Sequence, residues 1–280
     1  MRRGLALVGD ARIVGSASPA IHDAIFGAGT YGIIVDDDAG RAFARAEATV
    51  WGINVTAPHK LAAAARYADV LDDAARRTGA VNTVVYAPDG QATLATNTDV
   101  EGLRLAWRRA NVVIEGRRLA VIGAGGAARA VVVAAADAGA RGIIVHARRR
   151  EAGAGLVSLA ATVGVDATLA GVDRGAADLL VVAASELDGV DGWLDRTVRA
   201  AGVVHDLRYG ARALSVRNAA LRRGLVFLDG ASMLLGQALA AARHFAGANP
   251  PIGIGGAGGT LDEAARARAA AALATALREG

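Results

Sequence analysis

The chain has 280 residues, 53% apolar and 21% charged, enough to bury a sizeable core and long enough to expect two domains. Its net charge of +4 is mild and no dense basic run is interleaved with aromatics, which excludes nucleic acid as a partner. It has no cysteine, so it has no disulfide framework, thiolate nucleophile or thiolate metal site, and its five histidines lack metal-ligand spacing, so no metal is expected.

After Met1-Arg2-Arg3 the apolar run Leu5–Val8 stops at Gly9-Asp10, too short for a signal peptide, and no later stretch approaches a membrane span. A soluble cytoplasmic protein with no membrane partner is the expectation. A strand over Leu5–Val8, a helix from about Pro19, a strand over Ile33–Val35, a further helix and a strand over Trp51–Val55 form a βαβα rhythm, which favours a mainly parallel sheet. Asn54 to Lys60 reads as a strand end followed by a helix start, with Pro58 in the first turn. Thr83–Tyr86 and Ala92–Ala95 flank Ala87-Pro88-Asp89-Gly90, a hairpin turn that adds an antiparallel edge.

Between Asp99 and Ala110 the apolar residues recur at helical spacing, predicting an amphipathic helix that leaves the first domain. Strands over Leu119–Ile122, Ile143–Val145, Leu179–Val182, Val203–Val204 and Val226–Leu228 then alternate with alanine-rich helical segments, the pattern of a doubly wound sheet. The chain closes with a helix over Ser232–Phe245, a glycine- and proline-rich loop over Ala248–Gly259, and a last helix whose Thr260 and Glu263 fit a capping box. The fold class is α/β with two domains. Residues 1–101 with 233–280 form one, mainly parallel, and residues 102–232 form a Rossmann-type doubly wound one.

Arg118–Ile122 runs into Gly123-Ala124-Gly125-Gly126-Ala127-Ala128 and then a helix, the order a dinucleotide fingerprint requires. The first glycine allows the tight turn, the next lets backbone approach a pyrophosphate, and Ala128 allows close helix packing. The following strand ends at Val145-His146. An NAD-binding version usually carries an acidic residue there, but Ala147-Arg148-Arg149-Arg150 follows instead. Guanidinium forks suit a 2′-phosphate, so NADP is preferred and NAD stays open. A solvated basic loop next to Glu151 is the bland alternative.

Lys60 is the only lysine in a chain with 31 lysines and arginines combined. An amine gives and takes protons in surroundings where a guanidinium does not, so a proton carrier is one reason to keep it. Asn54, Asn82 and Asn97 are half of the chain's six asparagines and lie within fifty residues of one another around it. Lys60 would project near a strand terminus, where open α/β sheets bind ligands.

Together these segments resemble the shikimate dehydrogenase family, and the likeness runs through nearly the whole chain. Gly15-Ser16-Ala17-Ser18-Pro19 with His22 looks like its serine motif. Asn54 to Lys60, Ala80 to Thr83, and Asn97-Thr98-Asp99 with Gly102 follow in order. Gly123 to Ala127 is similar to its glycine turn, and Gly230, Met233 and Gln237 to its C-terminal motif. The resemblance implies a cytoplasmic, NADP-dependent enzyme, monomer or homodimer, that interconverts 3-dehydroshikimate and shikimate. Lys60 and Asp99 would be its catalytic pair, and Ser16, Ser18, Thr56, Lys60, Asn82, Asp99, Tyr209 and Gln237 would hold a cyclic polyhydroxy carboxylate. Gly123, Ala124, Gly125, Gly126, Ala127, His146, Arg148, Arg149, Leu207, Gly230 and Met233 would meet the cofactor.

Read singly, Ser16 and Ser18 could cap a helix, Asn82 and Asn97 could be turn residues, Asp99 could cap the linking helix and Tyr209 could be packed core. Four departures stand out. Asp23 follows His22 where the family has asparagine, Val182-Ala183-Ala184-Ser185 replaces Asn-Ala-Thr-Ser, Tyr209 lacks the asparagine and proline that normally follow it, and Ala147 occupies the cofactor arginine's place. A dehydrogenase for quinate or an amino analogue, NAD-linked or not, and a non-catalytic dinucleotide-binding sensor are the alternatives these leave open.

Overall fold

The computed structural model describes residues 4–170, 176–187, 189–247 and 261–279. The glycine- and proline-rich stretch 248–259 and Thr260 of the expected capping box lie outside the described residues. The chain divides into two compact units, Met1–Gly102 with Leu234–Gly280, and Leu103–Met233.

The first unit runs β1 (Leu5–Gly9), α1 (Ser18–Phe26), β2 (Tyr31–Val35), α2 (Ala39–Thr49), β3 (Gly52–Val55), α3 (Lys60–Arg66), α4 (Asp73–Thr78), β4 (Thr83–Tyr86) and β5 (Ala92–Thr96). Its sheet has the order β2-β1-β3-β4-β5. β1 pairs in parallel with both neighbours, while β3–β4 and β4–β5 are antiparallel. Val8, Ile53 and Val84 are wholly buried at its centre, together with Phe43, Ala63 and Tyr86. Such unbroken apolar strands are what helices on both faces demand. At Gly52 a Cβ would lie 2.7 Å from the Phe245 ring, so only glycine fits there.

α5 (Asp99–Arg109) leads into the second unit, which continues β6 (Arg118–Ile122), α6 (Gly126–Asp137), β7 (Gly142–His146), α7 (Arg150–Thr162), β8 (Ala167–Leu169), β9 (Ala177–Val182), α8 (Val190–Thr197), β10 (Val198–Asp206), α9 (Leu214–Arg222) and β11 (Val226–Leu228). Its all-parallel sheet has the order β11-β10-β9-β6-β7-β8. The order reverses beside β6, where doubly wound folds open their ligand crevice. α10 (Ala231–Ala246) and α11 (Glu263–Glu279) end the chain, and α11 packs along α1.

Three local readings change. Pro58 is not in the first turn of α3. The His59 amide donates to the Thr56 carbonyl at 3.0 Å, closing a separate turn that holds a cis Ala57–Pro58 peptide, and the helix starts only at Lys60. β8 is a three-residue strand of half-buried Ala167, Thr168 and Leu169, too short and too weakly apolar to announce itself. β10 begins five residues ahead of Val203, because its first pairing with β9 at Val198 is separated from the rest by a register shift.

Candidate active site

Lys60 opens α3, just beyond the end of β3, and Asp99 opens α5, just beyond the end of β5. β3, β4 and β5 are neighbours, so two residues 39 apart in sequence meet with Nζ 2.5 Å from Oδ2. Their side chains are 12% and 5% exposed. Removing one partner of so enclosed a pair would strand a charge, a loss of ~3–5 kcal/mol. The Lys60 carbonyl accepts the Val81 amide at 2.9 Å, which fixes the backbone beneath the amine.

Asn82 holds the second carboxylate oxygen. Its Nδ2 donates to Asp99 Oδ1 at 2.9 Å and to Thr98 Oγ1 at 3.0 Å, and its Oδ1 accepts the Thr98 amide at 2.8 Å. Asn97 is a turn residue as well as a neighbour. Its Oδ1 accepts the Asp99 amide at the start of α5, and its Nδ2 donates to the Ala80 carbonyl and Thr78 Oγ1. Asp99 is therefore capped by Asn97 and leaves its own carboxylate to Lys60 and Asn82. Gln237, on α10, donates from Nε2 to the Leu234 carbonyl and turns Oε1 toward Asn82 Nδ2 at 3.4 Å.

The paired serines flank the start of α1. Ser16 Oγ accepts the Ser18 amide at 3.2 Å and so closes a local turn ahead of α1, whose N-cap is Ala17 with no side-chain cap, while Ser18 is buried and its carbonyl receives His22 Nδ1 at 2.9 Å. Burial pulls the imidazole of His22 down to about 4, which keeps it neutral near pH 7. Asp23 explains its own departure from asparagine. Its two oxygens accept the Gly29 and Tyr31 amides at 3.0 and 2.9 Å, closing the α1–β2 loop with a carboxylate used on both sides. Thr56 lies half-buried where β3 ends, its methyl against the Cβ-free face of Gly9. Ser16, Ser18, Thr56, Lys60, Asn82, Asp99 and Gln237 thus belong to the first unit, whereas Tyr209 belongs to the second.

In the second unit Gly123 ends β6 with φ +112°, and a Cβ there would lie 2.9 Å from the Ala183 carbonyl. Its amide donates to the His146 carbonyl at 2.8 Å, tying the glycine turn to the end of β7. Gly125 caps α6 through backbone alone, and a Cβ on it would meet nothing within 4 Å. Ala124, Gly126 and Ala127 are half-buried and Ala128 is fully buried against the sheet. Arg129, not foreseen from the sequence, follows in the first turn of α6. Its Nε is buried with no hydrogen-bond partner, and burial lowers its pKa.

His146 Nε2 is buried without a partner as well, and its ring stands edge-on to Trp193 at 4.9 Å. Arg148 and Arg149 are exposed. Gly230 is forced by Leu207, whose carbonyl oxygen would lie 2.1 Å from a Cβ, and the Gly230 amide donates to the Arg208 carbonyl at 2.9 Å. Arg208 sits just before Tyr209 and closes a buried pair with Asp206, Nη2 to Oδ2 at 2.7 Å. Burial raises the Asp206 pKa and Arg208 opposes that rise. Met233 is buried in the first turn of α10.

No cluster of three or more metal-ligating side chains occurs among the described residues, and no helix there is long and apolar enough to cross a membrane. An amine is thus held on a carboxylate in one unit, and in the other a glycine turn opens a helix of a Rossmann-type sheet. Residues 8–84 match the shikimate dehydrogenase substrate binding domain. The shikimate dehydrogenase (NADP(+)) of Sphingopyxis alaskensis is 38% identical over 264 residues, 88% of this chain and 92% of its own. That of Hyphomonas neptunium is 35% identical over 207 residues, 72% of this chain and 74% of its own. The crystal structure of the Thermus thermophilus shikimate 5-dehydrogenase in complex with NADP(H) and shikimate superimposes with a TM-score of 0.75 at 27% identity, covering 99% of this chain and all of that one. The order of motifs, the sheet built from them and the extent of these matches have one explanation, which is that the chain belongs to the shikimate dehydrogenase family.

Proposed function

We propose that this protein catalyses the reversible, NADP-dependent reduction of 3-dehydroshikimate to shikimate in the cytoplasm, as a monomer or homodimer, with Lys60 as proton donor and acceptor. The observation that carries the reading is the buried Lys60–Asp99 pair, made from the chain's only lysine. Residues 1–101 with 233–280 hold the substrate and residues 102–232 the cofactor. The chain fits that cofactor. Gly125 leaves room where a Cβ would stand in the way, no side chain caps α6, and Arg129 carries a buried Nε without a partner. Gly123 to Ala127 would receive the pyrophosphate, with the N-terminus of α6 adding its positive potential. His146, Arg148 and Arg149 would meet the adenosine end, and Leu207, Gly230 and Met233 the nicotinamide end.

When bound, NADP supplies the hydride chemistry. The negative charge that develops on the ketone oxygen is met by the Lys60 ammonium, which gives that oxygen a proton and recovers one from solvent. In the reverse direction the same amine takes the hydroxyl proton. Asp99 holds Nζ in place and accepts from a ring hydroxyl, while Ser16, Ser18, Thr56, Asn82, Tyr209 and Gln237 supply the hydroxyl and amide groups that a polyhydroxy carboxylate needs.

The test follows reduced cofactor by absorbance for shikimate or quinate against NADP or NAD, with Lys60→Ala alongside. Turnover should be fastest with shikimate and NADP, and the variant should lose roughly a hundredfold or more. A rate within a few-fold of wild type in Lys60→Ala would remove the proposed proton carrier. Faster turnover of quinate would move the assignment to that substrate, and binding without turnover in all four combinations would leave a sensor.

A further inference from the structure

Behind the Lys60–Asp99 pair lies a line of buried polar side chains, of which Tyr31, Asn54 and Thr83 have no part in the proposed chemistry. Tyr31 OH is 2.7 Å from Asn54 Oδ1; Asn54 Nδ2 is 3.0 Å from Thr83 Oγ1; Thr83 Oγ1 is 2.9 Å from Asn82 Oδ1; and Asn82 Nδ2 is 2.9 Å from Asp99 Oδ1. Asn54, Asn82, Thr83 and Asp99 are each 5% exposed or less, and Tyr31 is 4% exposed.

The direction of every link is settled by backbone groups. Asn54 Nδ2 lies 3.3 Å from the Asn82 carbonyl, which only accepts, so the amide nitrogen faces that side and Oδ1 faces Tyr31. The Tyr31 hydroxyl must then donate, and burial raises its pKa well above the ordinary value, so it keeps its proton. Thr83 Oγ1 receives from Asn54 and passes its own proton to Asn82 Oδ1. That atom is fixed as an acceptor by the Thr98 amide at 2.8 Å, which turns Asn82 Nδ2 onto the carboxylate. Each donor points the same way, from Tyr31 to Asp99, and chains aligned like this polarise one another.

The far end is held rigid. The Tyr31 ring stacks on His22 at 4.2 Å, with 14° between the planes, and His22 Nδ1 meets the carbonyl of Ser18. That carbonyl can only accept, so His22 donates from Nδ1 and the neutral ring is locked to the serine motif.

We propose that Tyr31, acting through Asn54, Thr83 and Asn82, is a positioning residue for the Lys60–Asp99 pair, setting the orientation of the Asp99 carboxylate across three intervening side chains. This rests on the reading of Lys60 and Asp99 as the reacting pair. Tyr31→Phe removes one hydroxyl and keeps the ring that stacks on His22. Thr83→Val breaks the line in the middle at nearly constant shape, and Thr83→Ser keeps the hydroxyl.

Two measurements test the proposal. The chain has only six asparagines and two glutamines, so its eight side-chain amide groups can be resolved by nuclear magnetic resonance. In Tyr31→Phe the Asn54 and Asn82 amide signals should move while that of Asn97, whose Nδ2 bonds the Ala80 carbonyl and Thr78 Oγ1 outside the line, stays in place. Turnover of shikimate with NADP should fall roughly five- to tenfold in kcat, with KM for NADP unchanged, in Tyr31→Phe and Thr83→Val. Thr83→Ser should stay within twofold of wild type. An Asn82 signal that does not respond to Tyr31→Phe would overturn the proposal, as would wild-type kcat in both breaking variants. A loss of kcat in Thr83→Ser equal to that in Thr83→Val would also overturn it, because the hydroxyl would then be irrelevant. A wild-type protein silent with every substrate and cofactor would instead remove the functional reading, while the amide signals still report whether the line reaches Asn82.

Discussion

The two units build their candidate sites from opposite materials. In the first, side chains bond to side chains: Lys60, Asp99, Asn82, Thr98, Asn97 and Gln237 are joined in one network. In the second, the glycine turn works by having no side chains, and the buried nitrogens nearest to it in sequence, Arg129 Nε and His146 Nε2, have no hydrogen-bond partner. A network of side chains fixes the orientation of one amine before any ligand arrives. A turn of glycines fixes only the path of the backbone and leaves donors for something else to use. Substitutions in the first unit should therefore cost chemistry, and those in the second should cost shape or affinity.

The largest expected break of that contrast is Lys60→Ala, a loss in kcat of roughly a hundredfold or more with NADP affinity unchanged, read by steady-state rates and by titration of the cofactor. Next come two glycines of the same turn that should behave differently. At Gly123 the backbone is left-handed and a Cβ would press on the Ala183 carbonyl, so Gly123→Ala should lower stability by ~1–3 kcal/mol, visible as a melting point lower by several degrees. At Gly125 φ is −86° and the Cβ would stand in open space, so Gly125→Ala should melt within about 0.5 kcal/mol of wild type. It should nonetheless bind NADP about tenfold more weakly by calorimetry, if that open space is where the pyrophosphate approaches. Equal melting points for the two variants would refute the distinction.

The same contrast explains what could be read from the sequence. Strands of the second sheet such as Leu119–Ile122 are uninterrupted apolar runs, and Gly123, Gly125 and Gly126 mark the turn directly, because a glycine requirement is written in the residue itself. Lys60 was legible through its rarity, and Asp99 and Asn82 through motif order. The bonds between them were not, since β3, β4 and β5 must first be set side by side before residues 39 positions apart can meet. Tyr31 shows the limit. The apolar run signals its strand only from Ile33 onward, and nothing local in Tyr31-Gly32 says that the hydroxyl reaches Asn54 across β1. Arg129 is illegible for the opposite reason, because where arginine supplies nearly all the positive charge one more at a helix start carries no signal apart from the burial of its Nε.

Acid should act on both units, because each contains one wholly buried histidine. Burial brings both His22 and His205 down to about 4 from 6.5. His205 also receives the Trp107 indole N–H on Nδ1 at 3.2 Å. Each folded value lies below the unfolded one, so between pH 6.5 and 4 the unfolded chain binds more protons. Stability contributed by the neutral rings is complete above 6.5 and is lost as pH falls toward 4, by up to ~3 kcal/mol for each ring. The melting point should fall steadily across that window. His205→Phe should make the fall shallower, whatever it does to the melting point at pH 7, and an unchanged acid slope would contradict the assignment.

The smallest expected effect concerns the arginines after β7. Arg148 and Arg149 are exposed, and Ala147 stands where the family places its cofactor arginine. An exposed guanidinium facing a phosphate in water is screened and must give up side-chain freedom, so each is worth only about 0.2–1 kcal/mol, or up to roughly fivefold in affinity. Arg148→Ala and Arg149→Ala should each weaken NADP by that much and leave NAD unaffected, with the difference shrinking as salt is raised. If neither variant changes the NADP to NAD ratio, discrimination must come from elsewhere in this unit, where His146 at the end of β7 and Arg129 in α6 each carry a buried nitrogen with no partner among the described residues; a ligand that satisfied either would gain more than any bond made in open water.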